Sequence, residues 1–153
     1  MRRFLALIDL PPVWLAGHVV AAWALSTVSP ALFGPAGDRL GQSLVTLGVL
    51  GTLVAVLQMT QHQTTVIPRR DPSALVTTGL FAWSRNPIYL ADALILLGAI
   101  LWLDAVFALP LVAVFVWLIQ TRFIRDEEAR LTMAFGPEFD LWAARTRRWI
   151  GRR

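Results

Sequence analysis

Two polar segments of this chain contain residues that could bind a small charged molecule, and the first includes Gly79, the run Arg85-Asn86-Pro87 and Tyr89. Asn86 precedes a proline and so disfavours helix, whereas Pro87 is a favoured first-turn residue, so a helix should begin at Pro87. The free amide groups of its first turn, next to Arg85, would favour an anionic group such as a carboxylate. Gly79 permits a tight turn or the close approach of a ligand. Alternatively, Arg85 and Tyr89 only anchor the chain at a membrane surface.

The complementary negative charges come from Asp92 and from the pair Glu127-Glu128. Asp92 follows Tyr89 by three residues and therefore lies on the same face of the predicted helix, one turn deeper. Glu127 and Glu128 are neighbours on a helix and point about 100° apart, so one can face a ligand while the other pairs with an arginine. The alternative for Asp92 is an acid near the membrane surface that pairs with an arginine. The alternative for Glu127 and Glu128 is the solvated start of a helix among arginines.

The elements that must position these residues are strongly apolar. Of the 153 residues, 56% are hydrophobic and only 16% are charged, whereas a soluble domain carries about 25% charged residues. Between residues 10 and 37 the only ionisable side chain is His18, and between 40 and 61 there is none. Each block is long enough for the roughly 20 residues that span a bilayer, and the first is too long for a signal peptide, whose apolar core has roughly 7–15 residues.

We therefore predict an all-α integral membrane protein with about four transmembrane helices, at about 11–30, 40–61, 88–103 and 105–122. The third and fourth helices are separated only by Asp104 and should form a tight antiparallel hairpin. We expect one domain over 1–153, whose first 61 residues contain the two N-terminal membrane helices.

The arginines predict the orientation in the membrane. All fourteen basic residues are arginine, and they concentrate before the first helix, between the second and third, and after the fourth. Two pairs that carry this argument are Arg2 with Arg3 and Arg69 with Arg70. By the positive-inside rule, both termini and the 62–87 loop are cytoplasmic.

The same distribution argues against other kinds of partner. The arginines report topology and attraction to membrane lipids, so we expect no nucleic acid partner. There is no cysteine, and the two histidines, His18 and His62, are far apart, so we expect no metal site. The sequence indicates no particular oligomeric state.

The segment after the fourth helix should form two interfacial helices separated at Gly136-Pro137. Aromatic residues alternate with arginines there, as expected for helices that lie at a membrane surface. The aromatic residues concerned are Phe135, Phe139, Trp142 and Trp149.

The topology brings the two polar segments together. The Arg85-Asn86-Pro87 segment and the Glu127-Glu128 pair are the two cytoplasmic ends of one hairpin, so they should lie within about 10 Å of each other. Basic donors and acidic acceptors would then line a site that suits a zwitterion.

In these two polar segments the sequence resembles the integral-membrane methyltransferases that include isoprenylcysteine carboxyl methyltransferases and phospholipid N-methyltransferases. Their pattern is "TxGxYxxxRHPxY" or "RNPxY", then a hairpin, then "EExxLxxxFGxxYxxYxxxVxRWIP". Here the two parts stand as "TTGLFAWSRNPIYL" and "RDEEARLTMAFGPEFDLWAARTRRWI". The resemblance extends over residues 64–150, which would be the cofactor-binding half.

The resemblance implies S-adenosylmethionine-dependent methyl transfer to a lipophilic acceptor, a prenylcysteine-like carboxylate, a thiol or a lipid amine, at the cytoplasmic face. The residues that match the first motif and would bind the cofactor are Gly79, Arg85, Asn86, Pro87 and Tyr89. From the second motif, Glu127 or Glu128 would accept hydrogen bonds from the amino or ribose groups of the cofactor.

The departures from the pattern concern the acceptor. Asn86 replaces the histidine of the prenylcysteine enzymes, Ala91 stands where glycine is common, and Phe139 and Trp142 replace tyrosines. No proline follows "RRWI". These changes leave the expected cofactor contacts in place.

For the chemical step the candidates are Asp92, Arg122 and Arg125. An amine acceptor would need a base, for which Asp92 or a glutamate could serve. A carboxylate acceptor would need an orienting arginine, for which Arg122 and Arg125 are candidates.

Two alternative functions remain open. The NADPH-dependent membrane sterol and steroid reductases share a similar "RHPNY" element and a hairpin, although they lack the double glutamate. The second alternative is a membrane scaffold that kept the fold without catalysis.

Overall fold

A computed structural model describes residues 9–65 and 72–152 of the chain. Within these two ranges the regular elements are helical, apart from one isolated β-bridge between Thr146 and Arg152. This agrees with the predicted all-α class. The predicted orientation depended partly on Arg2, Arg3, Arg69 and Arg70, which lie outside the described residues.

Six α-helices follow one another along the described chain. They are α1 (Pro11–Ser26), α2 (Gly34–Gln61), α3 (Pro87–Trp102), α4 (Pro110–Ile119), α5 (Arg125–Phe135) and α6 (Pro137–Arg145). Short 3₁₀ turns occur at Gly79–Ala82 and Val106–Ala108, and a π-helical turn at Gln120–Ile124 joins α4 to α5 without a break.

Two helical segments are long and apolar enough to cross a bilayer. They are Gly34–Gln61, with 28 residues, and the continuous segment Val106–Phe135, with 30 residues. By contrast, α1 and α3 have 16 residues each, slightly fewer than the roughly 17–25 that a spanning helix needs. Length therefore supports two of the four predicted spans, and the four-span topology stays a prediction.

Several helix ends agree with the sequence and others differ. Helix α3 begins at Pro87 as predicted, and the chain turns sharply at Gly136, where φ is +48°. The fourth predicted helix does not end at 122 but continues through the π-helical turn to Phe135. The last helix ends at Arg145, because Thr146 is extended and pairs with Arg152, and the chain reverses between them with a φ of +103° at Gly151, which favours glycine.

The α2–α3 contact is the closest helix packing in the described chain. A Cβ atom added to Gly41 would lie 2.6 Å from the carbonyl oxygen of Gly98, and one added to Gly98 would lie 2.7 Å from that of Gly41. Small residues allow such close approach between helices in membranes. Helix α3 also contacts α1 and α4, so it is the central helix of the bundle.

The aromatic residues of α6 are buried in the protein, which corrects the predicted interfacial arrangement. Phe139 and Trp142 are 5% and 8% exposed and pack with Ala55, Val76 and Phe81. The indole N–H of Trp142 donates a hydrogen bond of 3.0 Å to the carbonyl oxygen of Phe81. The chain before α3 supplies an apolar partner for this side of α6, and the membrane surface is not needed to cover it.

Asp104 links the connection between α3 and α4 to the connection between α1 and α2. It lies in the turn between α3 and the Val106–Ala108 turn with a φ of +50°. Its carboxylate accepts hydrogen bonds from the backbone N–H groups of Leu32, Phe33 and Gly34, at 3.0, 2.9 and 3.3 Å. These bonds, led by the one from Phe33, lower the pKa of Asp104 and satisfy amide groups at the start of α2.

We expect Gly41→Ala to lower the stability of the protein by roughly 1–3 kcal/mol, because the added methyl group meets the backbone of α3. The control is Gly17→Ala in α1, where an added Cβ would meet nothing within 4 Å. That change should maintain stability or raise it by up to about 1 kcal/mol through helix propensity. Thermal unfolding in detergent measures both, and equal melting temperatures for the two variants would contradict the close α2–α3 packing.

Asp104→Asn should destabilise the protein at neutral pH, because the amide cannot carry the charge that the three N–H groups stabilise. Since the pKa of Asp104 is lowered on folding, its charge stabilises the fold above the unfolded pKa of about 3.9. This stabilisation is lost as the pH falls through the lower folded value. The melting temperatures of wild type and variant should therefore converge in acid, while the exposed Asp38→Asn control follows wild type throughout.

Candidate active site

A cavity of about 270 Å³ lies where the chain before α3, the start of α3, the middle of α2 and α5 meet. Small-molecule sites in proteins start at about 300 Å³, so this cavity is at the lower end of that range. The polar side chains that line it are Thr52, Thr64, Thr65, Arg85, Asn86, Tyr89, Asp92, Glu127 and Arg130. Phe81 and Trp142 contribute aromatic surface.

The tightest contact between the two polar segments joins Tyr89 to Glu127. The Tyr89 hydroxyl donates a hydrogen bond of 2.6 Å to Glu127 Oε1. Both side chains line the cavity, and the Tyr89 ring packs against Phe123 with a centroid separation of 6.4 Å. The predicted convergence of the hairpin ends is confirmed.

The π-helical turn places Glu127 on the face that looks toward Tyr89. A π turn contains one more residue than an α turn, which rotates every later side chain by about 100°. Phe123 lies within this turn and Glu127 follows one helical turn later. As a result, both side chains meet the same tyrosine.

Glu128 lies behind the cavity wall and binds two arginines. Its Oε1 is 3.1 Å from Arg85 Nη2 and 3.0 Å from Arg148 Nε, and its Oε2 is 2.5 Å from Arg148 Nη2. The hydrogen bond that Arg148 donates to Glu128 raises the pKa of the Arg148 guanidinium. Of the two glutamates, Glu127 faces the cavity and Glu128 pairs with arginine, which is the division of roles that their spacing predicted.

Asn86 connects the start of α3 to the C-terminal segment. Its side-chain amide donates to the carbonyl oxygen of Arg148 at 3.0 Å, and its backbone N–H donates to Ser84 Oγ at 3.0 Å. Because the Asn86 side chain is used in this way, it does not cap α3. The first turn of α3, whose residues Pro87, Ile88 and Tyr89 line the cavity, therefore has no side-chain cap.

Asp92 lies one turn deeper in α3 and is 7% exposed. It shares the cavity with Thr52 of α2, and Pro11 and Pro12 of α1 line the same space. Among the described residues, Thr52 Oγ1 is buried without a hydrogen-bond partner. This part of the cavity therefore offers one acidic and one hydroxyl group within apolar walls.

Besides Glu128, three of the candidate residues lie outside the cavity lining. Gly79 has a φ of +59°, and an added Cβ would overlap the side-chain amide of Gln58, so its place is in a tight turn against α2. Arg122 pairs with Asp9, with Nε 2.7 Å from Oδ1. Arg125 is exposed on α5. The structure thus brings Arg85, Asn86, Pro87, Tyr89, Asp92 and Glu127 together and leaves Gly79, Arg122 and Arg125 apart.

The structure also adds residues that the sequence analysis did not select. Arg130 lines the cavity three residues after Glu127, and this spacing on one helix face was the available signal. Arg148 stands in the "RRWI" part of the second motif, but only a topological role was assigned to it. Nothing in the sequence marked Thr52, because its position depends on the α2–α3 packing. In the described ranges, no three His, Asp or Glu side chains group as metal ligands would.

Comparisons with known proteins identify a family. The family model described as phospholipid methyltransferase matches residues 38–138, more than half of the chain. The cobalt-zinc-cadmium resistance protein CzcN of Cupriavidus metallidurans is 28% identical over 139 residues. That alignment covers 87% of this chain and 63% of CzcN, so the chain spans less than two thirds of the length of this relative. No solved structure matches the chain significantly.

The region matched by the family model includes both the Arg85-Asn86-Pro87-x-Tyr89 segment and the Glu127-Glu128 pair, the two segments that meet around the cavity. The chain belongs to the phospholipid methyltransferase family.

Proposed function

We propose that this protein transfers a methyl group from S-adenosylmethionine to a lipophilic acceptor at the cytoplasmic face of a membrane. Membership of the family implies a membrane methyltransferase. The observation that supports this cofactor and acceptor is one cavity that four polar side chains line together. Arg85 and Tyr89 come from one polar segment, Glu127 comes from the other, and Asp92 lies on α3 facing Thr52 of α2 across the cavity.

The side chains around the cavity fit S-adenosylmethionine, which has a carboxylate, an ammonium group, a sulfonium and a ribose. Arg85 and the uncapped first turn of α3 suit the carboxylate. Glu127 suits the amino group or the ribose hydroxyls as a hydrogen-bond acceptor. The faces of Phe81 and Trp142 suit adenine or the sulfonium, since cations are attracted to aromatic faces.

The two glutamates would have different roles in this arrangement. Glu127 lines the cavity, so we propose that it contacts the cofactor directly. Tyr89 donates to Glu127 Oε1 and so holds its carboxylate in one orientation. Glu128 is held by Arg85 and Arg148, so its role would be to position Arg85.

S-adenosylmethionine supplies a methyl group on a positively charged sulfur, and its leaving group needs no proton. The protein can therefore accelerate transfer mainly by aligning the acceptor with the methyl group, a contribution that can reach roughly 7–11 kcal/mol. The apolar walls around Asp92 exclude water from this alignment.

Asp92 is the residue best placed to act on the acceptor. It is buried in the cavity and can accept a proton from an amine. For a carboxylate acceptor, Arg130 takes the orienting role considered for Arg122 and Arg125, because it lines the cavity. Thr52 would add a hydrogen bond to either kind of acceptor.

We expect the purified protein in detergent to bind S-adenosylmethionine with micromolar affinity by calorimetry. Glu127→Gln should weaken binding at least about tenfold, since a hydrogen bond to a charged group contributes roughly 1.5–3 kcal/mol. The control is Asp126→Asn, an exposed acid on the preceding residue of α5, which should bind as wild type does. Binding of NADPH instead would support a reductase, and binding of neither would support a scaffold.

Asp92→Asn should retain S-adenosylmethionine binding and lose methyl transfer by roughly 10²–10⁴-fold, the usual contribution of a general base. The measurement is incorporation of methyl label into lipid-soluble material by membranes that contain the protein. Asp140→Asn, an exposed acid on α6, serves as the control. An Asp92→Asn variant with wild-type turnover would remove Asp92 from the reaction and leave Arg130 as the acceptor residue to test.

A further inference from the structure

We propose that residues 146–152, here named the C-terminal clasp, position the candidate active site, and that Arg148 is the positioning residue through which they act. The inference deepens the proposed function, because the expected effect of the clasp on cofactor binding rests on that function. The expected effect of the clasp on the order of the Trp83–Asn86 segment is independent of the proposed function.

The clasp holds the Trp83–Asn86 segment through the backbone. The N–H of Arg85 donates to the carbonyl oxygen of Arg147 at 3.0 Å, and the N–H of Gly151 donates to that of Trp83 at 2.8 Å. The Asn86 amide adds the 3.0 Å bond to the Arg148 carbonyl oxygen. Three hydrogen bonds thus fix the residues immediately before α3 to a segment more than 60 positions later.

The clasp keeps its own shape without contributing to the cavity lining. The N–H of Arg147 donates to the carbonyl oxygen of Gly151 at 2.9 Å, and Thr146 pairs with Arg152. The Trp149 indole donates to Gln120 Oε1 at 3.0 Å. The clasp is therefore also fastened to the π-helical turn that precedes Glu127.

Arg148 orients the Glu128 carboxylate, with which Arg85 forms its ion pair. Its guanidinium binds both oxygens of Glu128, at 3.0 and 2.5 Å, and this two-point contact sets the orientation of the carboxylate. Arg85 then meets Glu128 Oε1 at 3.1 Å. The Arg85 and Glu128 side chains are only 11% and 15% exposed, so solvent screens this cluster little.

The charge of the cluster gives Arg148 a consequence for ligand binding. Two arginines share one carboxylate, so the cluster keeps one positive charge beside the cavity. Without Arg148, Arg85 and Glu128 together would carry no net charge, and the Glu128 carboxylate would lose the two-point contact that orients it. A carboxylate ligand would then lose its attraction to Arg85, and the start of α3 would lose its anchor.

The test compares Arg148→Ala with Arg148→Lys and with Arg145→Ala, an exposed arginine of α6 outside the clasp. Hydrogen–deuterium exchange of the peptide covering residues 83–90 is measured without ligand, and S-adenosylmethionine affinity is measured by calorimetry. We expect Arg148→Ala to speed exchange in that peptide and to weaken affinity, each by about tenfold or more. Arg145→Ala, which removes the same charge, should change neither.

The lysine variant separates charge from geometry and keeps the test valid if the alanine variant does not fold. Lysine retains the positive charge of the cluster but cannot bind both oxygens of Glu128 in the same way. We therefore expect faster exchange at 83–90 with an affinity between those of wild type and Arg148→Ala. An affinity equal to that of wild type in every folded Arg148 variant would reject the positioning role.

The outcomes also distinguish this inference from the proposed function. If wild type does not bind S-adenosylmethionine, the proposed cofactor is rejected. The hydrogen–deuterium exchange data still test whether the clasp orders residues 83–90. If exchange at 83–90 in Arg148→Lys and Arg148→Ala matches that of wild type, the clasp does not order this segment and the inference fails.

Discussion

The shared carboxylate of Glu128 is the contact on which the site depends. It joins three parts of the chain: the segment before α3 through Arg85, helix α5 through its own backbone, and the C-terminal clasp through Arg148. A charged group with so little exposure is costly unless it is paired, so all three parts must be in place together. The first two of these parts line the cavity, and the clasp supports them from outside it, so the placement of the polar lining depends on this one arrangement of charges.

Helix α3 turns that arrangement into a rigid site. Its first turn contributes Tyr89 and its second Asp92, while further along Gly98 brings α2 into close contact. Because the backbones of α2 and α3 touch, the position of Thr52 relative to Asp92 is set by helix packing and not by a flexible loop. Asp92 and Thr52, two of the groups proposed to act on an acceptor, therefore lie on the most closely packed pair of helices in the described chain.

Much of this could be predicted from the sequence, since strong local signals determine it. Pro87 starts a helix by its fixed φ, and Gly136 ends one through a φ that other residues avoid. The convergence of Arg85 and Tyr89 with the two glutamates followed from hairpin topology. What failed depended on partners distant in sequence: Phe139 and Trp142 alternate with arginines as at a membrane surface, yet the residues around Phe81 cover them. Arg148 could not be paired with Glu128 before the reversal of the chain at Gly151 was known.

The place of the clasp in the chain has a consequence for biogenesis. Ribosomes deliver the chain from its N-terminus, so all six helices are made before residues 146–152 appear. Until then the Trp83–Asn86 segment lacks its hydrogen-bond partners and Arg85 can be neutralised by Glu128 alone. The polar side of the cavity next to Arg85 can thus reach its final form only after residues 146–152 have been made, so its completion is a late step in maturation.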